Sequence, residues 1–294
     1  MTRETSQSVE RIAKSLESLP TLPVVAMRVG ELLQGDNVSV QQLSQLLRTD
    51  PALSAKLLRA VNSPHFGIPG GVSDVARAIP FVGFATLAQL VLSIGVMDAL
   101  AAKSKAFDAT PLWLHAFVVA TAARELATEL KFPDGGACFT AGLLHDMGKI
   151  ALAKAEPEKF AQLCDSVRDG VSVPDAEAMH QLPSHEQIGA RLSRQWRLPA
   201  TLAVPIEHHH AILQPDVYER LAPNLRTITE IVCAADFLSL QFSLGSPDRF
   251  AEDGCDGASA IFDRYGLTAM RIESVYKRTF AQLEKSKSVL SLNT

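Results

Sequence analysis

The sequence predicts an all-α protein built from two helical lobes. Apolar residues recur at helical spacing along most of the chain, helix-start signals precede many of these runs, and alternating strand patterns are nearly absent. A change to small and charged residues over 101–108 indicates a junction. We therefore expect a first lobe over 1–105 and a second over 106–294, since 294 residues suffice for two domains of ordinary size.

The predicted first lobe contains well-marked helix boundaries. The run from Ser39 to Gln42 has the form of a capping box and precedes leucines at helical spacing. Asp50-Pro51 matches an N-cap followed by a first-turn proline, so a helix should begin there. Turn-forming residues over 62–71 predict a loop, after which a helix starts near Ser73. Gly83 should separate that helix from a long apolar helix that ends near residue 100.

The predicted second lobe is a series of helices joined by short connections. They are expected at 110–131, from about 137 through an unusual His-Asp motif, at 184–196, from 199 with a kink at Pro205, at 228–242 and over the C-terminal residues. The stretch 157–183 is more polar and interrupted by prolines, which predicts a shorter helix with connecting loops.

Charge and cysteine usage exclude several classes of protein. A net charge of −4 and a pI near 6.1 give no support to binding of nucleic acid or anionic lipid. The four cysteines are widely spaced without a Cys-x-x-Cys pair, so neither a thiolate zinc site nor a disulfide framework is expected. The polar N-terminus lacks the pattern of a signal peptide, and a cytoplasmic protein fits best.

An uncharged stretch over 78–97 has the nominal length of a membrane span. It contains Pro80, Gly83, Gln89 and Ser93, and a basic anchor is missing at its C-terminal end, where Asp98 follows. These residues favour a buried core helix, with a partner-facing helix as the alternative, and we expect no membrane insertion.

A central feature of the sequence is the motif His145-Asp146, which lies inside the apolar run 141–150. Burial of a charged aspartate beside an imidazole is unfavourable unless a metal, a cation or a hydrogen-bond network compensates it. Successive residues of a helix point about 100° apart, so both can reach one metal only between their faces or where the helix is irregular. Gly148 would permit such irregularity.

Further histidines and acids occupy helix positions where apolar residues are expected. They are His115, His185, the run from His208 to His210, and Asp236. Each has an ordinary alternative: a satisfied core or interface histidine, a solvated first-turn histidine, or histidines that interact with a helix dipole. Together, imidazoles and carboxylates suit one or two divalent ions of iron, manganese, zinc or cobalt, and a two-metal site can activate water against a phosphoester.

The order His, His-Asp, His, His-His, Asp over 112–240 resembles the ligand pattern of the HD metal-dependent phosphohydrolase superfamily. The N-terminal half is similar to the HDOD family, whose members are bacterial, all-helical regulatory modules. That likeness rests on Leu-Pro-Thr-Leu-Pro at 19–23, Thr-Asp-Pro-Ala-Leu-Ser-Ala-Lys-Leu-Leu-Arg-Ala-Val-Asn-Ser at 49–63, Phe-Gly at 66–67 and Ala-Ile-Pro-Phe-Val-Gly at 78–83. It implies an N-terminal helical bundle packed on an HD-type helical domain.

The resemblance carries a metal-ligand set over to this chain residue by residue. The implied ligands are His115, His145, Asp146, His185, His209, His210 and Asp236. Counting from Ile206 selects His209 and His210 and makes His208 the variable position, although the run is ambiguous by one residue. Lys149 matches a lysine of the HD signature that could meet a phosphate, and a solvated lysine near a helix terminus is the alternative.

One departure from the family pattern weakens the case for catalysis. Enzymes of the HD-GYP type follow their histidine pair with Glu-Arg and Gly-Tyr-Pro, but here Ala-Ile-Leu-Gln-Pro follows at 211–215. We expect a regulatory module without catalysis that binds a signalling protein or a small signal molecule. The alternatives are a phosphohydrolase acting on a nucleotide or other phosphoester, with Asp146 and Lys149 catalytic, and a metal that is held without turnover.

Overall fold

The computed structural model describes residues 22–33, 40–63, 66–100, 110–239 and 258–290, with side chains up to 284. Every regular element in these ranges is an α-helix, as predicted. The first lobe contains α1 (Val24–Leu33), α2 (Val40–Arg48), α3 (Pro51–Val61), α4 (Val75–Val82) and α5 (Phe84–Leu100). The second contains α6 (Thr110–Glu129), α7 (Gly135–Leu144), α8 (Met147–Ala155), α9 (Pro157–Arg168), α10 (Val173–Met179), α11 (His185–Gln195), α12 (Ala200–His208), α13 (Pro215–Tyr218), α14 (Pro223–Ser239), α15 (Ala258–Arg264) and α16 (Ala269–Leu290).

The helices of the first lobe begin and end largely where the sequence predicts. The Asp50 carboxylate accepts a hydrogen bond of 3.0 Å from the Leu53 amide and caps α3. Asp74, rather than Ser73, caps α4 through a bond of 2.7 Å to the Ala76 amide. Gly83 has a φ of +85°, which favours glycine, and it separates α4 from α5 as predicted.

The helix α5 is the central helix of the first lobe and packs against α1, α3 and α4. No single helix of the described residues has the length and apolar composition needed to cross a membrane. Within the described part of the chain, only α4 and α5 taken together reach that threshold, and they are bent by 119° relative to one another. Residues over 87–93 of α5 are all buried, in agreement with the expected core helix.

The second lobe is built on the pair α6 and α7. The helix α14 packs on both, α12 packs on α7 and α14, and α11 packs on α8 and α12. The stretch 157–183 forms two helices, α9 and α10, where a single shorter helix with loops was expected. Both have a proline in the first turn, as the first residue of α9 and the second of α10, and residues of the first turn need no amide donor.

Two apolar cores meet at α6 and α7. Ala116, Ala120, Phe139 and Leu143 belong to the core of the first lobe. Other faces of the same two helices line the larger second core, with Val119, Ala123, Ala141 and Leu144. Each helix therefore contributes to both lobes. The predicted junction over 101–108 lies outside the described residues, so the boundary at residue 105 stays a prediction.

Close approach of these helices depends on small residues. A Cβ on Gly136 of α7 would lie 2.0 Å from Thr86 Oγ1 of α5, and one on Gly142 would lie 2.9 Å from the Ala120 Cα of α6. Glycine at these positions therefore permits both the contact between lobes and the contact between α6 and α7.

Cysteine pairing differs from expectation at one position. Cys138 and Cys164 are free and buried. Cys233, however, is disulfide-bonded. The expectation rested on sequence spacing, which carries no information about cysteines that long-range packing brings together.

Candidate metal centre

The motif His145-Asp146 occupies a break between two helices. Helix α7 ends at Leu144 and α8 begins at Met147, and the Asp146 side chain makes no capping hydrogen bond to α8. The irregularity expected at this motif is therefore present. It frees the two side chains from the roughly 100° offset of neighbouring helical residues.

Gly148 has a different role from the one expected. A Cβ at this position would lie 1.9 Å from the backbone oxygen of His185 and 2.7 Å from its carbonyl carbon. Gly148 therefore allows the backbone of α11 to lie directly against α8, rather than supplying backbone freedom. This contact places His185 next to the break.

Five parts of the second lobe bring the predicted ligands together. His115 comes from α6, His145 and Asp146 from the break, His185 from α11, His209 and His210 from the end of α12, and Asp236 from α14. His145, Asp146, Lys149, His185, His209 and Asp236 are each at most 3% exposed. The centre is therefore a buried polar cluster inside a helical core.

Asp146 lies between two sets of histidines. Its Oδ2 is 3.6 Å from His115 Nε2 and 3.4 Å from His145 Nε2. Its Oδ1 is 3.5 Å from His185 Nε2 and 3.8 Å from His209 Nε2. Two ligands bound to the same ion at about 2.1 Å lie roughly 3 to 3.4 Å apart, so most of these separations approach those of shared coordination.

Among the described residues, two groups of three side chains have ligand atoms that lie within 4.8 Å of one another. The first, which we call the His115 group, contains His115, His145 and Asp146. The second, the His185 group, contains His185, His209 and His210. Asp236 Oδ1 adjoins the His115 group, at 3.1 Å from His115 Nε2 and 3.8 Å from His145 Nε2.

The histidines of the run 208–210 differ in their position relative to these groups. His209 and His210 belong to the His185 group, whereas His208 ends α12 and is in neither group. This geometry agrees with the register counted from Ile206.

Hydrogen bonds orient the histidine rings. His145 Nδ1 lies 2.7 Å from the Gly142 carbonyl oxygen, and His209 Nδ1 lies 3.0 Å from that of Pro205. A carbonyl oxygen only accepts, so each Nδ1 carries the proton and each Nε2 presents a lone pair. This assignment follows from the hydrogen-bond partners.

Several of the inward-facing atoms lack a hydrogen-bond partner. They are the Nε2 atoms of His145, His185, His209 and His210, and both carboxylate oxygens of Asp146. Buried polar atoms without partners cost roughly 1–3 kcal/mol each, more when charged. A cluster of such atoms, all of ligand type, fits one or two divalent ions.

Lys149 is part of the centre. Its Nζ lies 3.0 Å from Asp146 Oδ2, an ion-pair distance, although the geometry is not that of a hydrogen bond. The side chain is 3% exposed. The alternative of a solvated lysine near a helix terminus is therefore wrong.

Burial and charge together set the protonation states. Burial would lower the pKa of His145, but the charges of Asp146 and Asp236 hold it above its ordinary value. Burial lowers the pKa of His210 to about 3, and burial together with His210 lowers the pKa of His209 well below its ordinary value. Burial would raise the pKa of Asp146, but His145 and Lys149 hold it well below. The ionised Asp146 and the neutral His209 and His210 are in the forms that bind metals, whereas an ion at His145 would displace a proton that the raised pKa of this ring favours.

Glu177 was missed at the sequence level. Its Oε1 lies 2.8 Å from His185 Nδ1 and accepts a bond of 2.8 Å from the His185 amide. One available signal was that Val173, Ala176 and Glu177 share a helical face, which puts an acid on a buried stripe of α10.

Comparison with known proteins identifies the family. The HDOD domain model matches residues 19–212. An uncharacterized protein of Treponema pallidum (strain Nichols) is 26% identical over 230 residues, which cover 76% of this chain and 44% of that relative. The chain thus spans less than half the length of this relative.

Solved structures share the fold. An HDOD domain protein of unknown function from Geobacter sulfurreducens has a TM-score of 0.72 at 21% identity, covering 97% of this chain and 96% of its own. A Shewanella amazonensis SB2B protein provisionally named a phosphohydrolase has a TM-score of 0.69 at 22% identity, covering 94% and 97%. A Marinobacter aquaeolei VT8 protein provisionally named a signal transduction protein has a TM-score of 0.73 at 18% identity, covering 98% and 66%. Since the family model matches well over half of the 294 residues, the chain belongs to the HDOD family.

Proposed function

We propose that this chain is a regulatory module of bacterial signal transduction in which a buried metal centre influences the contact between two lobes. The observation that carries the proposal is the sharing of α6 and α7. The same two helices position His115 and His145 and line the core of the first lobe.

On both α6 and α7, a candidate metal ligand lies within two residues of a side chain in the core of the first lobe. Ala116, next to His115, lies in the core of the first lobe. Leu143, two residues before His145, belongs to that core as well, and Leu144 belongs to the core of the second lobe. A change in ion occupancy that moved either imidazole would therefore act on both cores, because packed interiors transmit small displacements.

The proposed output is a changed surface for a signalling protein or a small signal molecule, in the cytoplasm and without turnover. The burial of the ligands supports this over catalysis on a bulky substrate, since His145, His185 and His209 are at most 1% exposed. The ions proposed are one or two of iron, manganese, zinc or cobalt, for which imidazole and carboxylate ligands are suitable.

A metal-dependent phosphohydrolase is the second candidate, and one observation favours it. The ligand set is complete, with Asp146 between the two groups and the Lys149 ammonium 3.0 Å from Asp146 Oδ2. Bound divalent ions would supply an activated water and a clamp for phosphoryl oxygens. In that case Lys149 would add positive charge for a phosphate of a nucleotide or other phosphoester, and His115, 11% exposed at its side chain, would lie nearest the entrance.

Metal analysis of anaerobically purified protein tests the shared premise. We expect one or two equivalents of a first-row divalent ion, with the ion of the His185 group lost in His209→Gln and all ions retained in the neighbouring His208→Gln, which alters the same residue type outside both groups. No uptake of iron, manganese, zinc or cobalt by the wild type would sink the metal premise.

A hydrolysis screen separates the two candidates. Metal-loaded wild type is assayed against phosphomonoesters, nucleotides and cyclic dinucleotides, with Asp146→Asn as the blank. The regulatory proposal expects the two proteins to give the same background. Turnover that requires Asp146 and Lys149 would replace it with the phosphohydrolase.

A further inference from the structure

The histidines of the metal centre differ in what supports them. His145 and His209 donate their Nδ1 protons to backbone carbonyl oxygens of Gly142 and Pro205. His185 Nδ1 instead lies 2.8 Å from a carboxylate oxygen of Glu177. Among these three rings, His185 alone is backed by a charged side chain.

Glu177 holds His185 at two points. Its Oε1 accepts from both the backbone amide and the ring Nδ1 of His185. Both residues are buried, at 3% and 1% exposure. The His185 amide belongs to the first turn of α11, where amides have no partner within the helix, so one carboxylate fixes the start of α11 and the direction of the ring.

A carboxylate behind a ligand imidazole makes that imidazole a stronger donor. The charge draws the Nδ1 proton and raises electron density at Nε2, and loss of such a partner typically costs about 10- to 100-fold in metal affinity. A backbone carbonyl fixes the ring without a full charge. Glu177 therefore strengthens the His185 group, and Lys149 Nζ, 3.0 Å from Asp146 Oδ2, offsets carboxylate charge in the His115 group, so the His185 group should bind an ion more tightly.

We propose that Glu177 is a positioning residue that makes the His185 group the tighter of two ion positions. The inference rests on the metal centre of the proposed function and adds an order of loading to it. The first ion bound would have three imidazole ligands, from His185, His209 and His210, with Asp146 Oδ1 facing them. The second is held by the two imidazoles and the carboxylates of the His115 group with Asp236.

The first test needs no variant. Metal-free wild type is loaded with half an equivalent of Co²⁺ and then with two equivalents, and X-ray absorption counts the imidazole ligands at each stage. We expect about three imidazoles per ion at low loading and a lower average at full loading. An average of two at low loading would overturn the proposed order.

The second test removes the charge and keeps the shape. Glu177→Gln retains an oxygen that can accept from the His185 amide, and Glu158→Gln makes the same chemical change at an exposed position of α9. The affinity for Zn²⁺ is measured in competition with a chromophoric chelator. Glu177→Gln should bind the more tightly held ion about 10- to 100-fold more weakly than the wild type, whereas Glu158→Gln should match the wild type. The affinity for the more weakly held ion should change little.

The outcomes separate this inference from the proposed function. A wild type that binds no metal refutes both. A wild type that binds two ions, with Glu177→Gln equal to it, refutes only the role of Glu177. Thermal unfolding of both metal-free proteins controls for a merely structural effect, and if Glu177→Gln does not fold, the loading order measured on the wild type still decides the inference.

Discussion

Both lobes are built from packed helices, but they bury different kinds of polar side chains. In the described part of the first lobe, the buried polar residues are the uncharged Ser63, Gln89 and Ser93. The second lobe buries acids, histidines and a lysine around Asp146. The first lobe is therefore stabilised mainly by apolar burial, whereas the second carries charged groups whose burial is favourable only with partners or bound ions.

The largest expected difference in stability between the lobes comes from replacing a helix glycine by alanine. In Gly148→Ala the new Cβ would meet the His185 backbone at 1.9 Å, which cannot be relieved by a side-chain rotation. In Gly30→Ala of the first lobe, the nearest atom is a flexible Leu92 side-chain carbon at 3.2 Å. We expect a loss of about 3 kcal/mol or more for Gly148→Ala and about 1 kcal/mol or less for Gly30→Ala, measured by urea unfolding. Equal losses would show that α8 and α11 do not pack as described.

A core truncation in the first lobe should separate stability from metal content. Leu57 of α3 is fully buried, so Leu57→Ala should lower the free energy of unfolding by about 2–5 kcal/mol. Because Leu57 lies in the core of the first lobe, the folded protein should still bind as many ions as the wild type. Unfolding and metal analysis on the same preparation check this, and loss of ions from a folded Leu57→Ala protein would contradict it.

Removal of the bound ions should change stability through the metal centre rather than through the apolar core of the first lobe. An ion present at about 100 times its dissociation constant stabilises the folded state by about 2.7 kcal/mol, and a chelator removes that contribution. Asp146→Asn should unfold at the same denaturant concentration with and without metal, because Asp146 faces both ligand groups. A metal-dependent midpoint in Asp146→Asn would place the ions elsewhere.

The smallest expected effects come from exposed ion pairs. Lys56 and Asp98 of the first lobe are 2.5 Å apart with side chains 48% and 37% exposed. Lys56→Met should therefore change stability by no more than about 0.5 kcal/mol. Arg278 of α16 contacts Glu125 and Glu129 of α6 and is partly buried, so Arg278→Met should cost about 1 kcal/mol. Loss of both differences at high salt would confirm that screening governs these pairs.

Sequence reasoning succeeded where local chemistry decides the outcome. The starts of α3 and α11 agree with the predicted start at Asp50-Pro51 and with the helix expected at 184–196, because capping depends on residues within one turn. The convergence of the histidines and Asp146 was predicted from the resemblance of their order to the HD ligand pattern. The family resemblance added the register that distinguishes His209 and His210 from His208.

The remainder depended on contacts between distant segments. The steric role of Gly148 is evident only from the packing of α11 against α8, and the role of Glu177 only from its contact with His185 on the next helix. The division of ligands between two sides of Asp146 also required the packing of α6, α11 and α12. Local patterns do not encode such distances.

The central claim, that the metal centre acts on both lobes through α6 and α7, is tested most directly by hydrogen exchange. Amide exchange is measured for wild type and Asp146→Asn, each with and without Zn²⁺ or Mn²⁺. We predict that metal slows exchange in α6, α7 and the first-lobe helix α5 of the wild type and changes nothing in the variant. Metal binding by the wild type with unchanged exchange in α5 would contradict the claim.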